Sequence, residues 1–377
     1  MITAEFLIAE LSRYGCSFYS GVPDSYLKAL STFLLNKPSG IKHYIAANEG
    51  NAVALGIGSY LANGNIPVIY MQNSGLGNAI NPLVSIADEL VYGIPMLLII
   101  GWRGQPGKKD EPQHIKQGIC TSNILEILDI PTKIVTKNTN DDEIRKTIDI
   151  TFRSLRNLQR PHALIFEKNV FYEEEDTRPS RNSPSLISRR DAIEAIIKKL
   201  PKNSICISST GYISREILKF RNTCNLYHGT DFYCVGGMGH ANQIACAVSL
   251  ERPHNQVYCI DGDGALLMHL GSLATNASIS GNNFIHILFN NGVHDSVGGQ
   301  PISAPSCDFS NLASSLGYEN TAKINGITEL ENIMQEASLS LGNYFIEVMV
   351  APSDDNTLPR PDNLASLKTS IREKFDN

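Results

Sequence analysis

Short apolar runs alternate with amphipathic, helix-like stretches along most of this chain, and this alternation is the feature that most constrains its fold. The runs at residues 66–71, 96–101 and 256–261 are separated by stretches in which apolar residues recur with helical spacing. Short apolar runs between helices are typical of parallel strands that are buried on both faces. The pattern therefore predicts an α/β fold in which parallel sheets carry helices on both faces.

The alternation is interrupted at residues 173–185. This segment combines a run of charged residues with proline and serine, and it contains no apolar periodicity, which is typical of a solvated linker. A chain of 377 residues is also long enough to form two separate cores. We predict a first domain at residues 1–172, a linker at 173–185 and a second domain at 186–377, with the same architecture in both domains.

Composition argues against several classes of protein. The net charge of -6 disfavours nucleic acid as the main partner, because a phosphate backbone selects for clustered lysine and arginine. The longest apolar run, residues 94–102, is far shorter than the roughly 20 residues that span a bilayer. The N-terminal stretch carries Glu5 and Glu10 in an amphipathic pattern, which predicts a helix rather than a signal peptide. Eight scattered cysteines without a CxxC pair predict buried free thiols in a reducing compartment, and the expected location is the cytoplasm.

The stretch at residues 259–299 combines two predicted strands with polar turns. The first strand runs into the sequence DGDG at residues 261–264, and the second ends in NNG at residues 290–292. Asn291 lies 28 positions after Asp263, which is close to the about 30 residues of a crossover between neighbouring parallel strands. The spacing predicts that the two side chains lie side by side as oxygen ligands suited to Mg²⁺ or Ca²⁺. Either motif taken alone is more typical of an ordinary turn.

The combination of GDG and NN resembles the fingerprint of thiamine-diphosphate-dependent enzymes, which decarboxylate or transfer 2-oxo acid units. The resemblance implies two domains of the thiamine-diphosphate-binding fold, with thiamine diphosphate and Mg²⁺ as cofactors. It also implies that Asp263, the side chain of Asn291 and the main-chain carbonyl of Val293 bind the metal. Gly262 and Gly264, on either side of the aspartate, belong to the implied cofactor site.

A second segment that matches this family is the sequence GGMGH at residues 236–240. The resemblance implies that Met238 supports a bent conformation of the cofactor and that the carbonyl of Gly236 accepts a hydrogen bond from the cofactor's amino group. Thr210 and Gly211 are further implied cofactor contacts. The alternative for Met238 is an ordinary core residue that fills a gap.

Glu49 follows a predicted strand and precedes a helix rich in alanine and glycine. A glutamate in this place could simply favour the helix N-terminus through the helix dipole. The family places its activating glutamate in the same setting, where it hydrogen-bonds a ring nitrogen of the cofactor and promotes proton removal from the reactive carbon. Family members combine such domains from different subunits, so the resemblance implies a homo-oligomer with active sites at the subunit interface.

Over most of its length the chain resembles phosphonopyruvate decarboxylases, with sulfopyruvate decarboxylases as close relatives. The matching segments include residues 21–25, 48–52, 72–78, 101–104, 110–114, 210–215 and 290–300. The resemblance implies a small anionic 2-oxo acid as substrate and the decarboxylation of phosphonopyruvate to phosphonoacetaldehyde in phosphonate biosynthesis.

Four polar residues are candidates for contact with the substrate: Ser25, Asn73, His114 and His294. Ser25 and His114 are also candidates for catalysis, and Arg103 either contacts a second anionic group of the substrate or is only a solvated charge. A lone histidine or asparagine in a loop is more often a turn or surface residue.

Three other functions remain open at the level of the sequence. A sulfopyruvate decarboxylase would share the chemistry, and a carboligase would couple the bound intermediate to a second aldehyde. A non-enzymatic diphosphate-binding module is disfavoured by the presence of Glu49 together with Asp263 and Asn291, because simple binding does not need the ring-activating acid.

Overall fold

The structure is a computed structural model that describes residues 1–36, 38–172, 186–226, 230–353, 358–361 and 364–376. The chain divides into two compact units, Met1–Arg178 and Pro179–Asn377, which we call unit 1 and unit 2. The predicted linker at residues 173–185 lies outside the described residues, so the predicted domain bounds stay a prediction.

Unit 1 is built around one parallel sheet. Its strands are β1 (Phe18–Gly21), β2 (Lys42–Ile45), β3 (Val68–Gln72), β4 (Leu97–Gly101), β5 (Thr132–Val135) and β6 (His162–Phe166). Its helices are α1 (Ala4–Ser12), α2 (Lys28–Leu35), α3 (Glu49–Asn63), α4 (Leu76–Pro82), α5 (Pro112–Ile127) and α6 (Asp141–Leu158), with a 3₁₀ turn at Asn73–Gly75 and a π-helical turn at Leu83–Ala87. The strands lie in the order β2-β1-β3-β4-β6-β5, and all of these pairings are parallel.

Both faces of this sheet are covered by apolar side chains. Leu97 and Ile99 of β4 belong to one core cluster together with Phe152 of α6, whereas Leu98 and Ile100 belong to a second cluster. Successive strand residues point to opposite faces, so the two clusters are the two sides of the sheet. The predicted α/β fold with parallel strands is confirmed in this unit; the edge strands β2 and β5 are partly exposed, so double burial holds only for the inner strands.

Helix α3 packs closely against the sheet at Gly56. A Cβ atom added to Gly56 would come within 2.8 Å of Cδ1 of Ile69 on β3, so the small residues of this helix let its backbone approach the strand. This packing fixes the axis of α3 and with it the place of Glu49 at the helix N-terminus.

Unit 2 repeats the architecture with a second sheet. Its strands are β7 (Ile187–Ser188), β8 (Ile205–Ser208), β9 (Thr230–Tyr233), β10 (Val257–Gly262), β11 (Phe284–Asn290), β12 (Val293–His294), β13 (Gln300–Pro301), β14 (Asn320–Ile324) and β15 (Tyr344–Ala351). Its helices are α7 (Arg189–Lys199), α8 (Tyr212–Thr223), α9 (Ala241–Glu251), α10 (Asp263–Met268), α11 (Ser272–Ile279), α12 (Phe309–Leu316), α13 (Ile327–Leu339) and α14 (Leu364–Asp376), with a 3₁₀ turn at Asp295–Val297. The main strands lie in the parallel order β14-β15-β11-β10-β8-β9, β7 pairs with the end of β15, and β12 and β13 form a short antiparallel pair.

Each sheet has a topological switch point. In unit 2 the chain runs from β8 outward to β9 and returns to β10 on the other side of β8; in unit 1 it does the same from β1 through β2 to β3. Open α/β sheets bind ligands at the carboxyl ends of the strands beside such a point. Gly211 and Asp263 follow β8 and β10, and Ser25 and Asn73 follow β1 and β3, so the fold itself brings these candidate residues to the two switch points.

The N-terminal helix is present as predicted, because α1 buries Leu7 and Leu11 and leaves Glu5 exposed. Over the ranges that the structure describes, we find no helix whose length and apolar character would suffice to cross a bilayer.

The eight cysteines are all free thiols, and five of them are buried. Cys224 is exposed, while Cys120 and Cys307 are partly exposed, so the prediction of buried thiols is wrong for these three. Cys224 directly follows the last residue of α8, and helix ends commonly lie at the surface.

Candidate active site

Glu49 is the first residue of α3, and its carboxyl group is buried. The residue is only 4% exposed, and the helix start is fixed because the Asn48 side chain accepts a hydrogen bond from the Asn51 N–H at 2.9 Å. Glu49 Oε2 accepts a hydrogen bond from Asn78 Nδ2 at 2.8 Å. Burial raises the pKa of Glu49, although the hydrogen bond from Asn78 partly opposes this rise. An interaction with the helix dipole does not need burial, so the buried position favours a role as a functional acid.

Gly75 provides the space for the Glu49 carboxyl group. A Cβ atom added to Gly75 would overlap Oε1 and Cδ of Glu49, so the 3₁₀ turn after β3 brings its backbone directly against the acid. Gly77, two residues further on, has open space around its Cβ position. The close approach of the Glu49 carboxyl group therefore requires glycine at position 75, whereas position 77 has room for a larger side chain.

Arg103 follows β4 and is held in a fixed orientation. Its side chain is 15% exposed, and its Nε and Nη2 donate to the two carboxylate oxygens of Asp110 at 2.9 and 2.5 Å, a bidentate geometry. The remaining nitrogen, Nη1, lies 3.3 Å from Oγ of Ser25. The guanidinium group also lies over the ring of Tyr26, 5.0 Å from its centroid. One nitrogen of Arg103 is thus presented beside the exposed Ser25 hydroxyl.

Asp110 organises the loop that carries Arg103. Besides the guanidinium, it accepts hydrogen bonds from the N–H groups of Gly104 and Glu111, both at 2.8 Å, and from the Tyr26 hydroxyl at 3.3 Å. Burial acts to raise the pKa of Asp110, but Arg103 first, and then the N–H groups of Gly104 and Glu111, hold it well below its usual range. Asp110 is therefore the ionised centre of this cluster.

The amide of Asn73 is occupied by the same loop. Asn73 is 1% exposed, and its Nδ2 donates to the Arg103 carbonyl and to Thr121 Oγ1, both at 2.8 Å. Its Oδ1 accepts a hydrogen bond from the Arg103 N–H at 3.0 Å. Asn73 fixes the backbone of Arg103 in this structure, and its predicted contact with the substrate stays a prediction.

Asp24 is a buried acid that the sequence did not single out. It is completely buried, its Oδ2 accepts a hydrogen bond from the Tyr26 N–H at 3.0 Å, and its Oδ1 lacks a hydrogen-bond partner among the described residues. Burial raises the pKa of Asp24 to about 6, although Arg103 and neighbouring backbone N–H groups lower it. The available signal was its place in residues 21–25, one of the segments that resemble the family.

His114 is half-buried in the first turn of α5. A Cβ atom added to Gly104 would overlap the carbonyl group of His114, and Trp102 Nε1 donates to the carbonyl of Gly118 at 3.0 Å. The backbone of α5 therefore packs against the loop that follows β4. This packing brings His114 to the same end of the sheet as Arg103.

Asp263 and Asn291 lie next to each other in unit 2. Because β10 and β11 are neighbours in the sheet, Asp263 Oδ2 accepts hydrogen bonds from the N–H groups of Asn291 at 3.0 Å and Gly292 at 2.7 Å. Asp263 Oδ1 accepts a third from the Gly264 N–H at 2.6 Å. Burial raises the pKa of Asp263 to about 7 in spite of these hydrogen bonds. A bound cation would stabilise the ionised form of this buried carboxylate. Asp263 and Asn291 lie together because a single crossover separates their two strands in the sequence.

The donor atoms around Asp263 fit a hard divalent cation. Asn291 Oδ1 accepts a hydrogen bond from the Val293 N–H at 3.0 Å, and Asn291 Nδ2 donates to Asp295 at 2.7 Å, so the amide oxygen is turned away from Asp295. Val293 pairs with Pro301 across β12 and β13, and proline has no N–H to donate to the Val293 carbonyl. A carboxylate, an amide oxygen and a main-chain carbonyl are the ligand types that Mg²⁺ takes together with phosphate oxygens.

The two other implied cofactor segments form glycine-dependent turns. Gly211 has φ +101° between β8 and α8, directly after Thr210, and Gly237 and Gly239 have φ +63° and +90°. A Cβ atom added to Gly239 would lie 2.8 Å from the carbonyl oxygen of Ala265 in α10, so this turn packs on the helix that begins with Asp263.

Met238 and Gly236 of this turn are both half-buried. A partly exposed methionine on a glycine turn disfavours the alternative that Met238 is a gap-filling residue of the core.

His294 lies against the GDG turn. A Cβ atom added to Gly264 would come within 2.8 Å of Cε1 of His294, so the glycine makes room for the ring. Burial lowers the pKa of His294 to about 4.

The candidate residues fall into two groups. Unit 1 carries Glu49, Ser25, Asn73 and His114, and unit 2 carries His294, the candidate metal ligands and the candidate cofactor turns.

Both units match known domain families. The family model described as the thiamine pyrophosphate enzyme, N-terminal TPP binding domain, matches residues 1–125. The model described as the thiamine pyrophosphate enzyme, C-terminal TPP binding domain, matches residues 209–348. The fold and the donor set therefore define a thiamine-diphosphate-dependent enzyme, and the predictions of fold class, thiamine diphosphate and Mg²⁺ are confirmed.

Similarity over the whole chain narrows the class further. The phosphonopyruvate decarboxylases of Streptomyces viridochromogenes and Streptomyces hygroscopicus are each 31% identical to this chain over 375 residues, which cover 96% of it and 91% and 90% of those proteins. The sulfopyruvate decarboxylase of Methanosarcina acetivorans is 26% identical, with 99% of this chain and 97% of that protein covered. The chain belongs to the phosphonopyruvate decarboxylase family, and the prediction of a decarboxylase is confirmed.

Proposed function

We propose that this chain catalyses the thiamine-diphosphate-dependent decarboxylation of 3-phosphonopyruvate to phosphonoacetaldehyde and CO₂, as a step of phosphonate biosynthesis. The observation that carries the proposal is the 31% identity to two phosphonopyruvate decarboxylases over 96% of the chain. In this reaction the bond between the carboxylate and the carbonyl carbon breaks, CO₂ leaves, and the former carbonyl carbon takes up a proton.

Unit 2 supplies the groups that would hold the cofactor and its metal. Asp263, Asn291 Oδ1 and the Val293 carbonyl would bind Mg²⁺, because they are hard oxygen donors at the ends of neighbouring strands. Bound thiamine diphosphate supplies the electron sink for the bond that breaks. The turns at the switch point would contact the cofactor through Thr210, Gly211, Gly236, Met238, Gly262 and Gly264.

Glu49 would hold a proton next to a ring nitrogen of the cofactor. Its burial and its raised pKa support this role, because a carboxyl group with a pKa nearer to neutral exchanges a proton more readily at physiological pH. Asn78 and the close backbone of Gly75 would keep the carboxyl group in one orientation.

Ser25 and Arg103 would contact the anionic substrate. Asp110 neutralises Arg103 through two hydrogen bonds. Arg103 and Ser25 therefore offer the substrate a directed N–H group and a hydroxyl rather than a net positive charge. In this proposal Asn73 acts through the backbone of Arg103, while His114 and His294 are further candidates for contact with the substrate, and Ser25 and His114 for catalysis.

The working unit in this proposal is a cytoplasmic homo-oligomer whose active sites lie at the subunit interface. Unit 1 leaves several large apolar side chains in water, among them Leu55 and Leu61 of α3 and Ile115 and Ile119 of α5. Such side chains on two helices that carry candidate residues are typical of a surface that a second subunit covers.

Sulfopyruvate is the second candidate substrate. The observation in its favour is the sulfopyruvate decarboxylase of Methanosarcina acetivorans, whose similarity covers 99% of this chain. Sulfopyruvate carries a sulfonate where phosphonopyruvate carries a phosphonate, and decarboxylation of the two acids requires the same chemistry.

A comparison of substrates tests the proposal. We expect kcat/KM for aldehyde formation to be highest with phosphonopyruvate, lower with sulfopyruvate and lowest with pyruvate, each in the presence of thiamine diphosphate and Mg²⁺. A preference for sulfopyruvate would keep the chemistry and overturn the substrate. Formation of a longer hydroxyketone from an added aldehyde, in place of the free aldehyde product, would indicate a carboligase.

A further inference from the structure

A buried chain of charged side chains reaches the proposed metal ligand Asn291. Asp295 Oδ2 accepts hydrogen bonds from Asn291 Nδ2 and from Arg189 Nη1, both at 2.7 Å. It also accepts one from the Ser353 N–H at 3.2 Å. A single carboxylate oxygen therefore joins Asn291 to two other segments of unit 2.

Arg189 is itself fixed on its other side. Its Nε and Nη2 donate to Oε2 and Oε1 of Glu216 at 2.8 and 3.3 Å, and the guanidinium lies over the ring of Tyr212, 5.0 Å from its centroid. The Arg189 side chain is 4% exposed and that of Glu216 is 8% exposed. Hydrogen bonds among buried charges in a low local dielectric are strong and directional, so Arg189 can hold Asp295 in one orientation.

The anchors of this network belong to the sheet. Arg189 is the first residue of α7 and directly follows β7, where Ile187 pairs with Val350 of β15. Ser353 lies just beyond the end of β15. Asp295 is thus held by two residues that lie directly beside the paired strands β7 and β15.

The orientation of the Asn291 amide follows from this arrangement. A carboxylate accepts hydrogen bonds, so it pairs with the amide nitrogen and not with the amide oxygen. Nδ2 of Asn291 therefore faces Asp295, and Oδ1 faces away from Asp295. The Val293 N–H, which donates to Oδ1 at 3.0 Å, favours the same orientation. Without Asp295 this single hydrogen bond would be left to keep the amide from rotating and presenting its nitrogen, which cannot bind a metal, to the cation. Polar groups behind a metal ligand commonly set its orientation in this way.

We infer that Asp295, held by Arg189 and Glu216, positions the Asn291 side chain for binding of the divalent cation. The inference rests on the proposed function, since it takes Asn291 as a metal ligand. Asp295 and Arg189 are positioning residues: they touch Asn291 and each other, and neither is proposed to touch the cation.

The test measures metal-dependent cofactor binding in the absence of substrate. Thiamine diphosphate binding to the full chain is followed by calorimetry while the Mg²⁺ concentration is varied. We expect Asp295→Asn to raise the Mg²⁺ concentration for half-maximal binding by about 10–100-fold. The matched control is Asp191→Asn, because Asp191 is exposed in the same unit, and it should bind like the parent.

A second variant keeps the inference testable if Asp295→Asn does not fold. Arg189→Lys retains the charge but loses the planar fork, and it should raise the Mg²⁺ requirement in the same direction. A folded Asp295→Asn or Arg189→Lys protein that needs no more than about twice the parent's Mg²⁺, against the expected 10–100-fold rise, would overturn the inference. A parent protein that binds thiamine diphosphate without any need for Mg²⁺ would instead overturn the proposed function, and the inference with it.

Discussion

The carboxyl group of Glu49 lies where little water reaches it, and Asn78 holds one of its oxygens. A glutamine would keep this shape but could not gain or lose a proton. We therefore expect Glu49→Gln to lower kcat by about 10²–10⁴-fold and to leave Mg²⁺-dependent binding of thiamine diphosphate largely intact, as checked by steady-state kinetics and calorimetry. Glu5→Gln is the control, because Glu5 is exposed on α1, and it should match the parent. Turnover near the parent level in Glu49→Gln would contradict the role of this acid.

Asp24 should make the stability of the protein depend on pH. Burial raises its pKa from 3.8 to about 6, so the folded chain retains a proton that the unfolded chain loses. The stabilisation from this proton is fully present below about pH 4 and is lost as the pH rises through about 6. Above this range the folded chain holds a buried, ionised carboxylate, which lowers the free energy of unfolding by an amount on the order of 3 kcal/mol at most. Asp24→Asn removes this pH-dependent loss of stability.

Thermal unfolding of Asp24→Asn and the parent at about pH 4 and about pH 7 measures this effect. We expect the variant to gain in Tm over the parent at the higher pH and to differ little from it at the lower pH. Asp142→Asn is the control, because the Asp142 side chain is 93% exposed, and it should show no such pH-dependent difference. An equal difference in Tm at the two pH values for Asp24→Asn would contradict a raised pKa.

Among the elements, the turn between β3 and α4 leaves space for the carboxyl group of Glu49, the proposed catalytic acid. An alanine at Gly75 would overlap the Glu49 carboxyl group, whereas an alanine at Gly77 would meet open space. Displacement of a reacting group by about 1 Å commonly costs about 10²-fold in rate. We expect Gly75→Ala to lose activity on this scale and Gly77→Ala to retain it, with circular dichroism to check that both proteins are folded. Equal activity of the two variants would contradict the packing.

The sequence was sufficient to predict that Asp263 and Asn291 lie side by side, because this geometry is nearly local. Asp263 and Asn291 are separated by one strand–helix–strand crossover, and such crossovers return the chain to a neighbouring position with one handedness. The alternation of apolar runs predicted both sheets through their inner strands, whereas edge strands such as β5 and β14 are more polar and partly exposed.

The networks behind the candidate residues could not be predicted in this way. Arg189 and Asp295 are 106 positions apart, and nothing in either local sequence indicates that they pair. Asn73 illustrates the same limit: its place after β3 follows from the strand pattern, but the use of its amide by Arg103 and Thr121 depends on tertiary packing. The burial of Asp24 likewise arises from the approach of Gly101 on another strand.

In the whole molecule, the proposed active site combines unit 1 of one subunit with unit 2 of another. If this proposal holds, two inactive variants should restore each other. Glu49→Gln is altered in unit 1 and Asp263→Asn in unit 2, so about half of the sites in a mixed dimer of the two would combine two intact units.

Co-expression of the two variants with different affinity tags, followed by isolation of the mixed oligomers, tests this division. We expect the mixed protein to regain a measurable share of the parent's kcat, while each variant alone stays inactive. Mixed oligomers that remain as inactive as the separate variants would contradict active sites at the subunit interface.

The most direct test of the proposed function is product formation from phosphonopyruvate, followed by phosphorus NMR together with release of CO₂. We predict phosphonoacetaldehyde and CO₂ in equal amounts, only when thiamine diphosphate and Mg²⁺ are both present, with loss of the reaction on chelation of the metal and recovery on its return. Consumption of phosphonopyruvate without formation of the aldehyde, or turnover that does not depend on both cofactors, would contradict the proposed function.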